Sequence, residues 1–148
     1  MIGLLQRVRG ASVEIDGACV ARIHLGLLVL IGVQHNDGLS KIDRMLDRVL
    51  GYRVFEDNSG RINRCLRDLG SEVGGLLLVP QFTLAADTRS GMRPSFTTAA
   101  PPDEARLIYE TLLSKAQRIW PNTSSGVFGA NMQVSLVNDG PVTFWLEA

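Results

Sequence analysis

The stretch ASVEIDGACVARIHLGLLVLIGV, residues 11 to 33, decides how the rest of the chain is read. ASVEI and ACVARI flank Asp16-Gly17, a residue pair suited to the positive backbone angles of a two-residue hairpin turn. LGLLVLIGV, residues 25 to 33, then runs apolar without a break and is rich in branched residues. Such a run is expected of a strand buried on both faces. Upstream, GLLQRV at residues 3 to 8 is a further strand candidate. Downstream the period changes: Ile42, Met45, Leu46, Val49 and Leu50 recur at steps of three and four, the apolar stripe of a helix. Ser40 with Asp43 resembles a capping pair at its start, and Gly51 is its expected stop.

Further along, YRVFEDNSGRINRCL, residues 52 to 66, reads as a strand entering an Asn-Ser-Gly turn and then irregular chain. GGLLLVPQFTLAAD, residues 74 to 87, is the strongest strand in the middle of the chain, with Pro80 inside it and Gln81, Phe82 and Thr83 at its end. A basic loop, DTRSGMRPSF, follows. PPDEARLIYETLLSKAQRIW is a second helix, with Pro102 in the first turn and Asp103 and Glu104 at the positive dipole end. Its expected buried face is Ala105, Ile108, Leu112, Ala116, Ile119 and Trp120. NTSSG reads as a loop, and ANMQVSLV and VTFWLEA as two closing strands. The fold expected from this order is a single α+β domain over residues 1 to 148, with a largely antiparallel, barrel-like sheet and two main helices.

Composition narrows the function classes. At 45% hydrophobic and 20% charged residues the chain is ordinary globular protein, long enough to build a core without staples. Fifteen basic residues balance fifteen acidic ones, so contact with nucleic acid must come from a local patch. Cys19 and Cys65 form no metal-binding spacing, and each is expected to be a buried, reduced thiol. The longest apolar run is about half of what a bilayer crossing needs, and MIGLLQRVRG lacks the layout of a signal peptide. A cytoplasmic protein with no membrane partner is expected.

The usual protein-borne catalysts are scarce. His24 ends a strand signal and His35 lies in the polar turn QHNDG, so both read as structural or solvent-facing. No nucleophile elbow, zinc-helix motif or phosphate loop is present. Thr83 reads as a packed strand residue, or as a nucleophile for which the sequence offers no base. Phe82 and Met132 alone would be core, and Arg89 and Arg93 either phosphate contacts or a solvated loop. Asn138-Asp139-Gly140-Pro141 interrupts the last strand pattern with a proline that brings no N–H to a ladder.

Taken together, QRV at residues 6 to 8, PQFTLAADTRSGMRPSF at 80 to 96 and MQVSLVNDGPVT at 132 to 143 resemble the D-aminoacyl-tRNA deacylase family, with matching order, spacing and length. Two departures stand out: Pro80 replaces the family's usual serine before Gln81-Phe82-Thr83-Leu84, and Asn131 stands where aspartate is more common. The resemblance implies a homodimer without cofactor or metal. It further implies hydrolysis of the ester joining a D-amino acid, or a misplaced glycine, to the 3′ end of tRNA.

By themselves Gly140 and Pro141 read as a tight turn that aims the last strand. On that resemblance, those of one subunit enter the pocket of the other, a role for which a cis Gly-Pro bond is expected. Their two carbonyl oxygens then face the substrate Cα and leave room for hydrogen alone. An L side chain would collide with them, a D side chain would point away, and glycine would pass. Backbone N–H groups of Phe82 and Thr83 would hold the developing oxyanion, and a ribose 2′-hydroxyl would position the water. A pocket working through that backbone survives proline at position 80. Gln81 would orient the sugar or the loop, and Met132 would line the adenosine side. Two roles stay open for Arg7, a clamp on the Gly-Pro segment or a surface charge. Two other functions stay open beside this one: an esterase of small substrates using Thr83, and a tRNA-binding module without catalysis.

Overall fold

The computed structural model describes residues 1 to 148. Strand β1 (Ile2–Ile15) is the spine. One edge pairs antiparallel first with β3 (Gly26–Gly32), through Ile2 to Val8, and then with β2 (Ala18–Ile23), through Ala11 to Ile15. The other edge pairs along its length with β8 (Gln133–Glu147). GLLQRV and ASVEI are therefore one strand, because β8 pairs on both sides of an irregularity at Arg9, through Val8↔Asn138 and Gly10↔Val137. The hairpin turn is Asp16-Gly17 as expected, both at positive φ (50° and 80°).

Helix α1 (Leu39–Gly51) buries the five residues of the predicted stripe. Ser40 and Asp43 do not cap it: the helix begins at Gly38, whose carbonyl accepts from Lys41 and Ile42, and Asp43 reaches across to Lys115 instead. The chain then makes a small ladder, β4 (Phe55–Glu56) with β5 (Ile62–Arg64), and a one-turn helix α2 (Leu66–Leu69). So the segment expected to be irregular carries a strand and a third, short helix.

Strand β6 (Gly75–Pro80) runs parallel to β3, the crossover between them being filled by α1 to α2. A 3₁₀ turn follows at Phe82–Ala85, then helix α3 (Pro102–Ile119). Ile119, expected on the buried face, is exposed, and Tyr109, which was not expected there, is buried. The predicted loop NTSSG contains β7 (Thr123–Ser125), parallel to β6. Its polar composition suits an edge strand of which only Thr123 is buried, and the Thr123 hydroxyl bonds the Trp120 carbonyl at 2.6 Å. ANMQVSLV and VTFWLEA are not two strands but parts of β8, from which Asp139–Val142 loops out between the pairs Val8↔Asn138 and Gln6↔Thr143.

The result is a single α+β domain with a bent, barrel-like mixed sheet ordered β2-β1-β3-β6-β7, with β8 on β1. Successive residues of β3 and β6 point into different cores. Leu27, Val29, Ile31, Leu76 and Leu78 face the core beneath α1 and α3. Leu28, Leu77 and Val79 face a smaller core inside the bend, with Val8, Val13 and Ile23. Both faces of LGLLVLIGV are thus buried, as its pattern required. Of the two cysteines Cys65 is buried, but Cys19 is exposed on β2 beyond the reach of either core. No helix is long and apolar enough to cross a membrane.

Candidate functional site

The sequence PQFTLA changes structure at its first residue. Pro80 closes β6 on a backbone without an N–H, and the Gln81 N–H then bonds the Ile31 carbonyl at 2.8 Å. Gln81, Phe82 and Thr83 therefore lie beyond the strand, not within it, and Phe82 opens the 3₁₀ turn. As the first two residues of that turn, Phe82 and Thr83 have N–H groups with no partner inside it. Their side chains are exposed, contrary to the core and packed-strand readings, with Phe82 at 59%. The side-chain partner of the Thr83 hydroxyl is the Gln81 amide, so no base addresses it.

Two clefts meet at Phe82. One, of about 520 Å³, is walled by His35, Pro80, Phe82, Phe96, Ala100 and Phe128. The other, of about 300 Å³, is walled by Pro80, Gln81, Phe82, Gly129 and Met132. Phe82 and Phe96 pack at 5.1 Å between ring centroids, tilted by 47°. Met132 is fixed by its sulfur, which accepts from the Val127 N–H at 3.4 Å. Behind the site, the Tyr109 hydroxyl donates to the Leu78 carbonyl of β6 at 3.0 Å. Burial pushes the Tyr109 phenol well above its ordinary value, opposed weakly by Ser125.

The basic loop contributes less charge than its arginines suggest. Arg89 is paired to Asp87 at 2.6 Å, and bonds from the Arg89 guanidinium and N–H hold that carboxyl far below the usual carboxylate range. Elsewhere no group of three or more His, Cys, Asp and Glu side chains gathers in metal-binding array.

The Gly140-Pro141 bond is cis, and Gly140 has φ +127°. Arg7, only 6% exposed, stands directly opposite the loop. Its Nε donates to the Asp139 carbonyl at 3.0 Å and its Nη1 to the Val54 carbonyl at 2.6 Å. The Asp139 carboxylate sits between Arg7 (3.3 Å) and Arg9 (2.9 Å). The surface-charge alternative for Arg7 is thus excluded by its burial. A side chain at Gly140 would begin 2.7 Å from Val142 Cγ2 and 3.0 Å from Arg7 Nη2.

Within one chain these two groups of residues do not meet. Arg7 is level with Leu27, and Leu27 with Leu76, so Pro80 lies four residues further along β6, about 13 Å. Crossing from β8 through β1 and β3 to β6 adds three strand spacings, about 14 Å. Neither cleft at Phe82 includes Gly140 or Pro141. Of the residues singled out for the site in the sequence, Pro80, Gln81, Phe82 and Met132 line these clefts, Arg7 and the Gly-Pro pair lie together elsewhere, and the walls His35, Phe96 and Phe128 were not among them. These come from three loops distant in sequence, and no local pattern marks them.

Against known proteins, residues 4 to 147 match the family model described as D-Tyr-tRNA(Tyr) deacylase. The D-aminoacyl-tRNA deacylase of Alkalilimnicola ehrlichii is 58% identical over 148 residues, covering 100% of this chain and 97% of that one. That of Stutzerimonas stutzeri is 56% identical, covering both chains fully (100%). Among solved structures, one titled c-Myc DNA Unwinding Element Binding Protein is 35% identical with a TM-score of 0.94, covering 100% and 99% of the two chains. A probable eukaryotic D-amino acid tRNA deacylase, 16% identical with a TM-score of 0.83 and covering 99% and 98%, shares the fold.

Proposed function

Because the chain belongs to the D-aminoacyl-tRNA deacylase family and is a hydrolase of aminoacyl-tRNA, we propose that it strips D-amino acids, and glycine carried by the wrong tRNA, while sparing L esters. The working unit is a homodimer of the 1 to 148 domain, acting in the cytoplasm where charged tRNA is used. Gly140 and Pro141 of one protomer enter the cleft at Phe82 of its partner. The observation that carries this is the separation of the two groups: a chain that keeps them at different levels of its sheet needs a second copy to bring them together.

Selection works by exclusion. A main-chain wall faces the substrate Cα with no Cβ of its own at Gly140, so only hydrogen fits on that side. The D side chain points away, and its size is immaterial. Hard overlap with a fixed backbone rejects more strongly than an apolar pocket, which distinguishes one methylene by about 1–3 kcal/mol.

Hydrolysis proceeds through backbone and RNA. The N–H groups of Phe82 and Thr83 hold the ester carbonyl and then the oxyanion as water adds to the carbon. The ester bond to the ribose breaks, the sugar oxygen takes the proton, and the free amino acid leaves. The 2′-hydroxyl of the terminal adenosine positions that water, Gln81 orients the sugar or the turn, and Met132 lines the adenosine side. Proline at position 80 is compatible, because a cleft wall needs no hydroxyl where the backbone N–H groups of Phe82 and Thr83 hold the oxyanion.

The test compares D-, L- and glycyl esters of one tRNA. D and glycine cleaved with L spared supports the reading, and equal rates overturn it. Thr83→Ala is expected to keep substantial activity, whereas a substrate ending in 2′-deoxyadenosine is expected to lose it. The reverse pair of results favours a threonine nucleophile acting on esters.

A further inference from the structure

The loop carrying Gly140-Pro141 is held unequally at its two ends. Its first residue, Asp139, is gripped by Arg7 and Arg9 through carbonyl and carboxylate. Its far end has no arginine. There the side chain of Asn138 reaches forward across the loop: Oδ1 accepts from the Val142 N–H at 3.0 Å, and Nδ2 donates to Thr143 Oγ1 at 2.7 Å. The ladder with β1 stops at Val8↔Asn138 and resumes at Gln6↔Thr143, so this one amide spans the whole excursion. Without it the Pro141 side of the loop rests on the packing of Val142, which is 8% exposed.

We propose that Asn138 is a positioning residue for stereospecificity, with Thr143 as its anchor: together they set the angle at which Gly140-Pro141 is presented. The inference rests on the reading that this segment sorts substrates by hand. The geometry asks for an acceptor toward one N–H and a partner for one hydroxyl, at the reach of a single methylene. Asparagine meets both demands. Aspartate meets them too if the Thr143 hydroxyl turns to donate, whereas leucine has the volume and neither bond.

The experiment measures deacylation of the D and L esters of one tRNA by the full chain, alongside melting temperature. Asn138→Leu is expected to lower the D-to-L rate ratio about tenfold or more. Asn138→Asp is expected to stay near wild type, and adding Thr143→Val to it is expected to lose the ratio. Should Asn138→Leu not fold, Thr143→Val in the wild-type background supplies the same readout and is expected to fall severalfold. A variant whose melting temperature drops while its ratio stays at the wild-type value overturns the inference, since a purely structural amide would behave that way. A wild-type enzyme with no preference for the D ester sinks the proposed function instead, so the two failures are distinguishable.

Discussion

Arg7 shows how much one side chain can fix. Its guanidinium bonds two carbonyls that belong to different parts of the chain, Val54 beyond α1 and Asp139 in the β8 excursion. A planar fork can serve both at once, and a lysine ammonium on a flexible stem cannot. Arg7→Ala is expected to cost about 2 kcal/mol, because a buried carbonyl and a partly buried one lose a charged donor. Arg7→Lys is expected to keep the fold yet lose most D-aminoacyl-tRNA deacylation, as read by thermal melting and a deacylation assay. A lysine variant with wild-type rate would show that the charge alone suffices. At this scale the sequence was informative only in combination. Arg7 in QRV and Gly140-Pro141 in NDGPVT each have ordinary readings, and it was their joint match to one family that singled them out. Phe82 shows the converse, since an aromatic beside a strand reads as core until the turn after Pro80 swings it outward.

Among the elements, β3 and β6 place the site, because Pro80 can end β6 beside Ile31 only if the two strands lie in register. That register begins at Gly26 and Gly75, where the backbones approach so closely that a Cβ on Gly26 would stand 1.9 Å from the Gly75 carbonyl oxygen. No side-chain rotation relieves a clash with main chain. Gly26→Ala is therefore expected to destabilise the protein by about 3 kcal/mol, measured by denaturant unfolding. A melting curve unchanged by the substitution would contradict this geometry. Elements with strong periodicity were legible: the hairpin at Asp16-Gly17, the doubly buried β3 and the stripe of α1. Those defined by a partner were not. β7 is polar and short, and it is a strand only because β6 lies beside it. The ends of β8 are joined because β1 spans both, a fact carried by residues more than a hundred positions away. Ser40 and Asp43 satisfied a capping pattern, but the helix starts two residues earlier, at Gly38, so Ser40 already lies inside its first turn.

For the molecule as a whole, the sheet and α3 are tied by the Tyr109 hydroxyl on the Leu78 carbonyl, and burial raises this phenol above its unfolded value of about 10. An acid whose folded pKa is raised lends stability that is intact below the unfolded value and is lost as pH rises through it toward the folded one. Stability is thus expected to fall above about pH 10, and Tyr109→Phe to flatten that slope while sacrificing one hydrogen bond near neutrality. Unfolding curves at a series of alkaline pH values decide it, and an equal slope in both proteins would refute the assignment. Fold class was readable at this scale from element order, and the parallel pairs β3–β6 and β6–β7 were not, since direction depends on where a crossover returns. The distance between the Gly-Pro loop and the Phe82 cleft on a single chain has one more consequence. In the proposed homodimer, two broken genes should mend each other. A protomer disabled at Gly140 still owns a sound cleft, and one disabled in its cleft still owns a sound loop. Mixed in equal amounts and allowed to exchange, half of their pairs are hybrids with one complete centre each, and about a quarter of normal activity should return from two inactive parents.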